Sequence, residues 1–398
     1  MKGFKRLFFS SSFSSLTCSK HLVLRAKNRV DNCELAEMST SRLQPELWKP
    51  ERIDTKSEMG RQRLMELQSS DAGIEVFDGR DDQWQELALI REPNLRGNPE
   101  AIEAAVENWK TDRNRTFELF HYPWRRALCY VLPRSEFIEL RTNRNRNRIR
   151  HEEQRIFSQK TVGVVGLSVG ASFAMTMAME RGCGKMRLAD FDTLALSNMN
   201  RIRSSVMDLG LPKSVVLARQ ILEQDPYFEL EIFEEGFTLE NAEEFFEGLD
   251  LVLDACDSPG PKAEIRIQAK SRRIPVLMDT SDRGMLDIER YDEPAIAEES
   301  GALHNRLSAS DLMRLRTMTQ WDPVDLNLFV DLANASNRGR ESLSLVGSEL
   351  TGWPQLYADV ASGAAMAAVA ARRIFLGDPT PDTRLYLSLD EQLPERIS

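Results

Sequence analysis

Residues 166–170 read G-L-S-V-G, and two chemistries fit that spacing. As G-x-S-x-G it would be a nucleophile elbow, presenting Ser168 on a sharp strand-to-helix turn for acyl transfer. As a variant of G-x-G-x-x-G/A it would be a turn that lays a nucleotide's phosphates on a helix N-terminus. The partners downstream separate the two. An elbow serine needs an acid and then a histidine later in the chain. Of the four histidines, His21, His121, His151 and His304, only His304 follows Ser168. It lies in "ESGALHNRLSASD", a polar stretch with nothing to mark a triad. The nucleotide reading does find a partner. Asp190 ends the next strand about twenty residues after the turn, where a carboxylate meets ribose hydroxyls in dinucleotide-binding folds. Gly166, Gly170 and Ala171 are small enough to let backbone N–H groups approach an anion. Ser168 stands where such a loop usually has its second glycine, and its hydroxyl can donate. No lysine follows within the turn, so this is not a Walker P-loop.

These residues need strands and helices to hold them. "TVGVVG" (161–166) reads as a buried strand and "GASFAMTMAMERG" (170–182) as a helix closed by Gly182. "KMRLADFD" is a strand ending in acids, and "PKSVVLARQILEQD" (212–225) an amphipathic helix. "FELEIFEEG" (228–236) alternates as a strand, and "TLENAEEFFEG" (238–248) is a helix with Thr238 as its N-cap. "DLVLDACD" (250–257) is a buried strand holding Cys256, followed by a helix over 261–273 and a strand over 274–280. Short apolar strands alternating with helices mean βαβ units and a parallel sheet. "MLDIERYDEP" (285–294) reads as an edge or antiparallel strand, and "RLYLSLD" (384–390) as a final strand. Helices are expected near 308–319 and 355–376. The predicted class is α/β: a Rossmann-like, doubly wound, mostly parallel sheet with antiparallel edge strands, plus a small N-terminal mixed α/β segment. Residues 1–60 read as an unstructured or targeting-like tail and 61–135 as the small segment, with a helix at 99–110 and a strand at 126–133. Residues 136–398 form the α/β domain, its core at 160–290 and a helical part at 300–398.

Composition narrows the class. Hydrophobic content of 41% and charged content of 29% are those of a globular protein. A net charge of −10 argues against a general nucleic-acid binder, whose affinity rests on neutralising phosphates. The five cysteines (Cys18, Cys33, Cys129, Cys183, Cys256) are scattered without a C-x-x-C pair. That argues against a structural zinc and a disulfide framework and fits a reducing, cytoplasmic compartment. No apolar run approaches a membrane span; "ASGAAMAAVAARRIF" (361–375) reads as a buried helix. Residues 1–30 hold seven Lys/Arg, six Ser and no acid. That is the composition of a transit peptide, or of an over-long start with Met38 or Met59 as the alternative first residue.

A dehydrogenase would have no further signature after Asp190. Here the chain continues with Asp192, "SNMNR" (197–201), "GLPK" (210–213), "DPY" (225–227) and "DACDS" (254–258). In that order and spacing the sequence resembles the ThiF/MoeB/HesA family, the adenylating domain of ubiquitin-activating-type enzymes. The resemblance covers about 160–290 and extends more weakly to 352–378. It implies an adenylyltransferase using ATP and Mg2+, acting on a substrate carboxylate, and a homodimer. Carried over by position, the loop residues Gly166, Ser168, Gly170 and Ala171 and the acids Asp190 and Asp192 bind nucleotide, with Asp190 on the ribose. Asn198, Arg201 and Lys213 hold phosphates, and Asp257 holds Mg2+. Arg201, Lys213 and Asp257 are the catalytic set. Physical chemistry agrees with those residue types. Cations beside a departing pyrophosphate stabilise growing charge, typically by roughly 10²–10³-fold per contact. A carboxylate is a hard oxygen ligand suited to Mg2+ beside phosphates. One upstream arginine, Arg144, Arg146 or Arg148, is implied to reach the partner subunit's nucleotide.

The pattern also departs from the family. Ser168 and Val169 occupy positions where two glycines are usual, Ser258 follows Asp257 where an asparagine is usual, and Lys262 takes the place of a downstream arginine. The family's zinc cysteines and thioester cysteine are absent, and no cysteine lies beyond Cys256. Asp282 and Arg283 follow the last parallel strand as either substrate contacts or a salt-bridged turn. The acceptor could be a carrier-protein C-terminus, a peptide or a modified tRNA nucleoside. Two other functions stay open: an NAD(P)-dependent oxidoreductase on the same unit, and a non-catalytic scaffold partner.

Overall fold

A computed structural model describes residues 44–70, 73–112, 116–298 and 301–393. The transit-peptide-like stretch lies outside them. Two compact units divide the described chain: residues 44–155 with 218–228, and residues 156–217 with 229–393. The first therefore takes in residues 136–155, which the sequence places with the α/β domain.

In the smaller unit, strands β1 (Glu51–Ile53), β2 (Glu75–Phe77), β3 (Glu118–Tyr122) and β4 (Ala127–Val131) form one sheet in the order β1-β3-β4-β2. Helices α1 (Glu58–Ser70), α2 (Arg80–Arg91), α3 (Pro99–Thr111) and α4 (Arg134–Arg141) accompany it. Successive residues of a strand face opposite sides. Leu119 accordingly packs with Ile53, Leu67 and Leu128, while Phe120 and Tyr122 pack with Trp124 and Ala127. Helix α3 starts where Asn98 Oδ1 accepts the Ala101 N–H at 3.1 Å and Pro99 fills the first turn. The expectation of an unstructured tail to residue 60 is corrected here. Strand β1 pairs with β3, Glu51 opposite His121, and α1 opens at Glu58. A strand of three residues is too short to show a period.

The larger unit is built on a sheet of seven strands. They are β5 (Thr161–Val165), β6 (Lys185–Ala189), β7 (Glu229–Phe233), β8 (Leu251–Asp254), β9 (Val276–Asp279), β10 (Leu286–Glu289) and β11 (Thr383–Leu385). Their order is β11-β10-β9-β8-β5-β6-β7. The five from β9 to β7 run parallel; β10 and β11 add antiparallel pairs at one edge. The parallel strands are covered on both faces, which is why β5 and β8 read as unbroken apolar runs. Connecting helices are α5 (Gly170–Glu180), α6 (Lys213–Gln224), α7 (Ala242–Phe246) and α8 (Pro259–Arg272). Helix α9 (Tyr357–Leu376) packs its buried small face, Gly363, Ala364, Ala367 and Ala371, on α5, β9 and β10. The sheet order reverses at β5: β6 lies on one side of it and β8 on the other. Ligands of such sheets bind beyond the strand C-termini at that reversal.

Several local expectations change. Helix α5 is closed by Arg181 in the left-handed conformation (φ 49°), with the Gly182 N–H donating to Met177 O at 2.8 Å. Thr238 does not cap a long helix. Its N–H donates to Asn241 Oδ1 (2.9 Å) and its Oγ1 accepts the Asn241 N–H (3.3 Å), a polar turn that delays α7 to Ala242. Strand β8 stops at Asp254, so Cys256 lies in the turn beyond it. Strand β10 is the antiparallel strand of the two readings offered, with β11 beyond it; β11 ends at Leu385 and a helical turn, Leu389–Gln392, follows. Helices at Pro323–Val330 and Asn337–Leu343 were not legible; Asp322 and Ser336 cap them. No helix among the described residues is long and apolar enough to cross a membrane.

Candidate nucleotide site

The turn after β5 is fixed by its first and last glycines. Gly166 has φ +87°, and a Cβ there would sit 2.4 Å from Ala255 O in the turn after β8. A Cβ on Gly170 would lie 2.8 Å from Val164 Cγ1. Between them Val169 has ordinary helical angles (φ −74°, ψ −45°), and Ser168 is not among the residues with positive φ. The two departures from a glycine loop thus sit where no glycine is required. Gly170 and Ala171 open α5, where the first N–H groups have no acceptor one turn earlier; the Ser172 N–H donates to Val169 O at 3.1 Å.

Asp190, at the end of β6, is nearly buried and holds the turn. Its Oδ2 accepts the Leu167 N–H at 2.6 Å and its Oδ1 the Asp192 N–H at 2.8 Å. Burial pushes its carboxyl up; Lys213 and the two N–H groups oppose that. Lys213 opens α6, buried at 7% exposure, with Nζ 2.8 Å from Asp192 Oδ2 and 4.0 Å from Asp190 Oδ1. A cation at a helix N-terminus opposes the helix dipole; these two acids offset that cost. Asn198 caps its own turn, accepting the Ala195 N–H on Oδ1 at 3.0 Å. Arg201 reaches back to the loop, donating from Nε to Ser168 Oγ at 2.9 Å. Its Nη1 donates to Asn200 Oδ1 (2.9 Å) and Ser197 O (3.2 Å). Burial draws the guanidinium below its ordinary value, and Asp257 opposes this.

Asp257 follows β8 across the sheet reversal. Solvent reaches its residue surface, yet the surrounding turn strips enough water from the carboxyl to push it up, against Lys262, Lys213 and Arg201. The Trp321 indole N–H braces its carbonyl at 2.7 Å. Lys262 is committed elsewhere: its Nζ lies 2.9 Å from Asp254 Oδ1. Arg266 bridges Asp254 (2.7 Å) and Glu289 (2.7 Å), all three buried. This paired cluster holds Asp254 down at about 2. Sequence reading missed it because its members are drawn from β8 (Asp254), helix α8 (Lys262, Arg266) and β10 (Glu289).

The structure therefore brings Gly166, Ser168, Gly170, Ala171, Asp190, Asp192, Arg201, Lys213 and Asp257 to the C-terminal ends of β5, β6 and β8, with Asn198 in the turn just before Arg201. It sets other candidates apart. Asp282 accepts the Ser336 N–H (2.8 Å) and hydroxyl (2.7 Å), while Arg283 donates to Asn334 O (2.6 Å) and pairs with Glu391 (2.7 Å). They do not pair as a salt-bridged turn. Arg144, Arg146 and Arg148 belong to the smaller unit. The elbow reading fails on geometry. His304 is held through Nε2 by Asp287 (2.9 Å) and through Nδ1 by Asp382, so neither nitrogen is left for Ser168. Cys256 donates its thiol to Asp254 at 3.1 Å, and burial pushes it well above the ordinary thiol range.

The ThiF family model matches residues 142–282. The uncharacterized protein MT1398 of Mycobacterium tuberculosis (strain CDC 1551 / Oshkosh) is 40% identical over 327 residues, 81% of this chain and 43% of that protein. The tRNA threonylcarbamoyladenosine dehydratase of Bacillus subtilis is 28% identical over 151 residues, 37% of this chain and 59% of that one. The chain thus spans about half the length of these relatives. A solved structure of E. coli tRNA N6-threonylcarbamoyladenosine dehydratase in complex with AMP aligns with 62% of this chain and 98% of its own, at 19% identity and a TM-score of 0.45. The chain carries a ThiF-family domain over residues 142–282.

Proposed function

We propose that the chain is an ATP-dependent adenylyltransferase that joins a substrate carboxylate to AMP and releases pyrophosphate. The observation that carries this is the placement of Arg201, Lys213 and Asp257 around the Gly166–Ala171 turn at the sheet reversal. In the reaction, a carboxylate oxygen forms a bond to the α-phosphorus. The α–β phosphoanhydride bond breaks, and its electron pair leaves on pyrophosphate. Arg201 and Lys213 would stabilise that growing charge, the first-turn N–H groups of α5 would hold phosphate oxygens, and the remaining lone pairs of Asp190 would take ribose hydroxyls.

The residues present suit Mg2+. This ion takes one or two carboxylates and fills its other positions with water and substrate phosphates. Asp257, reached by solvent at the end of β8, is such a carboxylate, and no group of three or more ligating side chains occurs among the described residues. When bound, Mg2+ would neutralise phosphate charge. Asp257 would hold it, steadied by Trp321 through the backbone.

The acceptor is a carrier-protein C-terminus, a peptide or a modified tRNA nucleoside. The Bacillus relative, named for a modified tRNA nucleoside, makes that nucleoside the first to test. The protonated Cys256 thiol is a poor nucleophile, so the adenylate would pass to an acceptor other than a cysteine of this site. Exposed Phe191, Leu196, Val206 and Met207 line the segment that carries Arg201 and support a homodimer that covers them. The test is pyrophosphate release on incubation with Mg-ATP and each acceptor class. Release that depends on acceptor, and falls in Arg201→Ala and Lys213→Ala, is expected. Binding of Mg-ATP without release from any of the three classes would remove the acyl-adenylate step.

A further inference from the structure

Ser168 is the residue at which the loop departs from its glycine pattern, and the structure gives it specific partners. Its Oγ accepts the Arg201 Nε–H at 2.9 Å across 33 positions of sequence. A hydroxyl that accepts one hydrogen bond still has its own proton to place. No acceptor for that proton occurs among the described residues, and Ser168 is half-buried at the mouth of the turn. Arg201 is in the same state: Nε and Nη1 are engaged, while Nη2 has no hydrogen bond to any described residue. Two donors, one charged, are thus left side by side beside the first turn of α5. A hydroxyl that accepts from a guanidinium is polarised and becomes a stronger donor in turn.

We propose that Ser168 is a phosphate-binding hydroxyl primed by Arg201, so that Ser168 Oγ–H and Arg201 Nη2–H together grip one phosphate group of the nucleotide. This rests on the adenylating reading above. Ser168 adds a side-chain donor that a glycine at this position cannot supply. Ser168 also sets the direction of the guanidinium, as a positioning residue for Arg201.

The test is calorimetric titration of the full chain with Mg-ATP in the wild type, Ser168→Ala and Ser168→Thr, each with its thermal midpoint. Ser168→Ala should bind Mg-ATP about ten- to a hundredfold more weakly, the size of a lost hydrogen bond to a charged group. Ser168→Thr keeps the hydroxyl and should stay within about threefold of wild type. Ser168→Ala binding within about twofold of wild type overturns the proposal. So does weakening of both variants in step with a lowered midpoint, since the residue would then only shape the turn. A wild type that binds no Mg-ATP refutes the adenylating reading itself, an outcome distinct from these.

Discussion

Lys262 and Arg266 are both buried, and both lean on the single carboxylate of Asp254. Such a cluster is weak testimony to net stability, but breaking it is costly because it strands charge in the interior. Asp254→Ala should therefore lower unfolding stability by about 3–5 kcal/mol, read from urea denaturation. A loss below about 1 kcal/mol would mean that water reaches the cluster. Lys213 should behave in the opposite way. Lys213→Ala removes a cation whose partners include exposed Asp192, so folding should be little changed while pyrophosphate release falls by about 10²–10³-fold. At this scale much of the candidate site was legible. Asp190 stands at the spacing that one helix and one strand impose, whereas Lys213 is carried over from the family resemblance through "GLPK" (210–213). The Ser168–Arg201 bond was not legible, since the crossover path between the two residues follows no period. The Asp254 cluster was hidden in the same way: its charges look like ordinary surface residues of α8.

Residues Leu303, His304 and Asn305 have φ of 51°, 56° and 62°, three left-handed residues in a row without a glycine. For Leu303 that conformation costs roughly 1–2 kcal/mol, so the turn needs strong fastening. The Leu303 N–H donates to Glu289 Oε2 at 2.7 Å, and His304 is clamped between Asp287 and Asp382. Arg384 holds Asp287 from β11 through two contacts of 2.7 Å. Burial opposes the charge on His304, but the two carboxylates prevail and raise its pKa to about 9. A histidine raised in the folded state stabilises fully below its ordinary pKa of about 6.5. That stabilisation is lost as pH climbs through the folded value. The thermal midpoint should fall between pH 6.5 and about 9, and His304→Gln should have a lower midpoint at pH 6 and a flatter profile. Parallel profiles for the two proteins would show that His304 is not the group responsible. Strands β5 and β8 were readable because their apolar runs are continuous, and β7 because it alternates. Short strands such as β1 and the capped helices after residue 322 were not, being shorter than the windows in which a period shows.

For the molecule as a whole, association and nucleotide choice are the quantities to measure. Phe191 is 71% exposed, and an aromatic ring left to solvent beside a charged site is a cost unless another surface covers it. Sedimentation should show a dimer in the wild type and a monomer in Phe191→Glu; a wild-type monomer at micromolar concentration would remove the homodimer. The α/β class was open to reading from sequence, because alternating strands and helices mean βαβ units and a parallel sheet. How residues 44–155 and 218–228 make their own unit was not, since the second segment is the tail of a helix that begins elsewhere. The most direct test of the site is calorimetric titration of the wild-type chain with Mg-ATP and, separately, with NADH. Saturable Mg-ATP binding that weakens in Lys213→Ala, with no heat from NADH, is the expected result. NADH binding without Mg-ATP binding would contradict the adenylating site and assign the same loop to a dinucleotide.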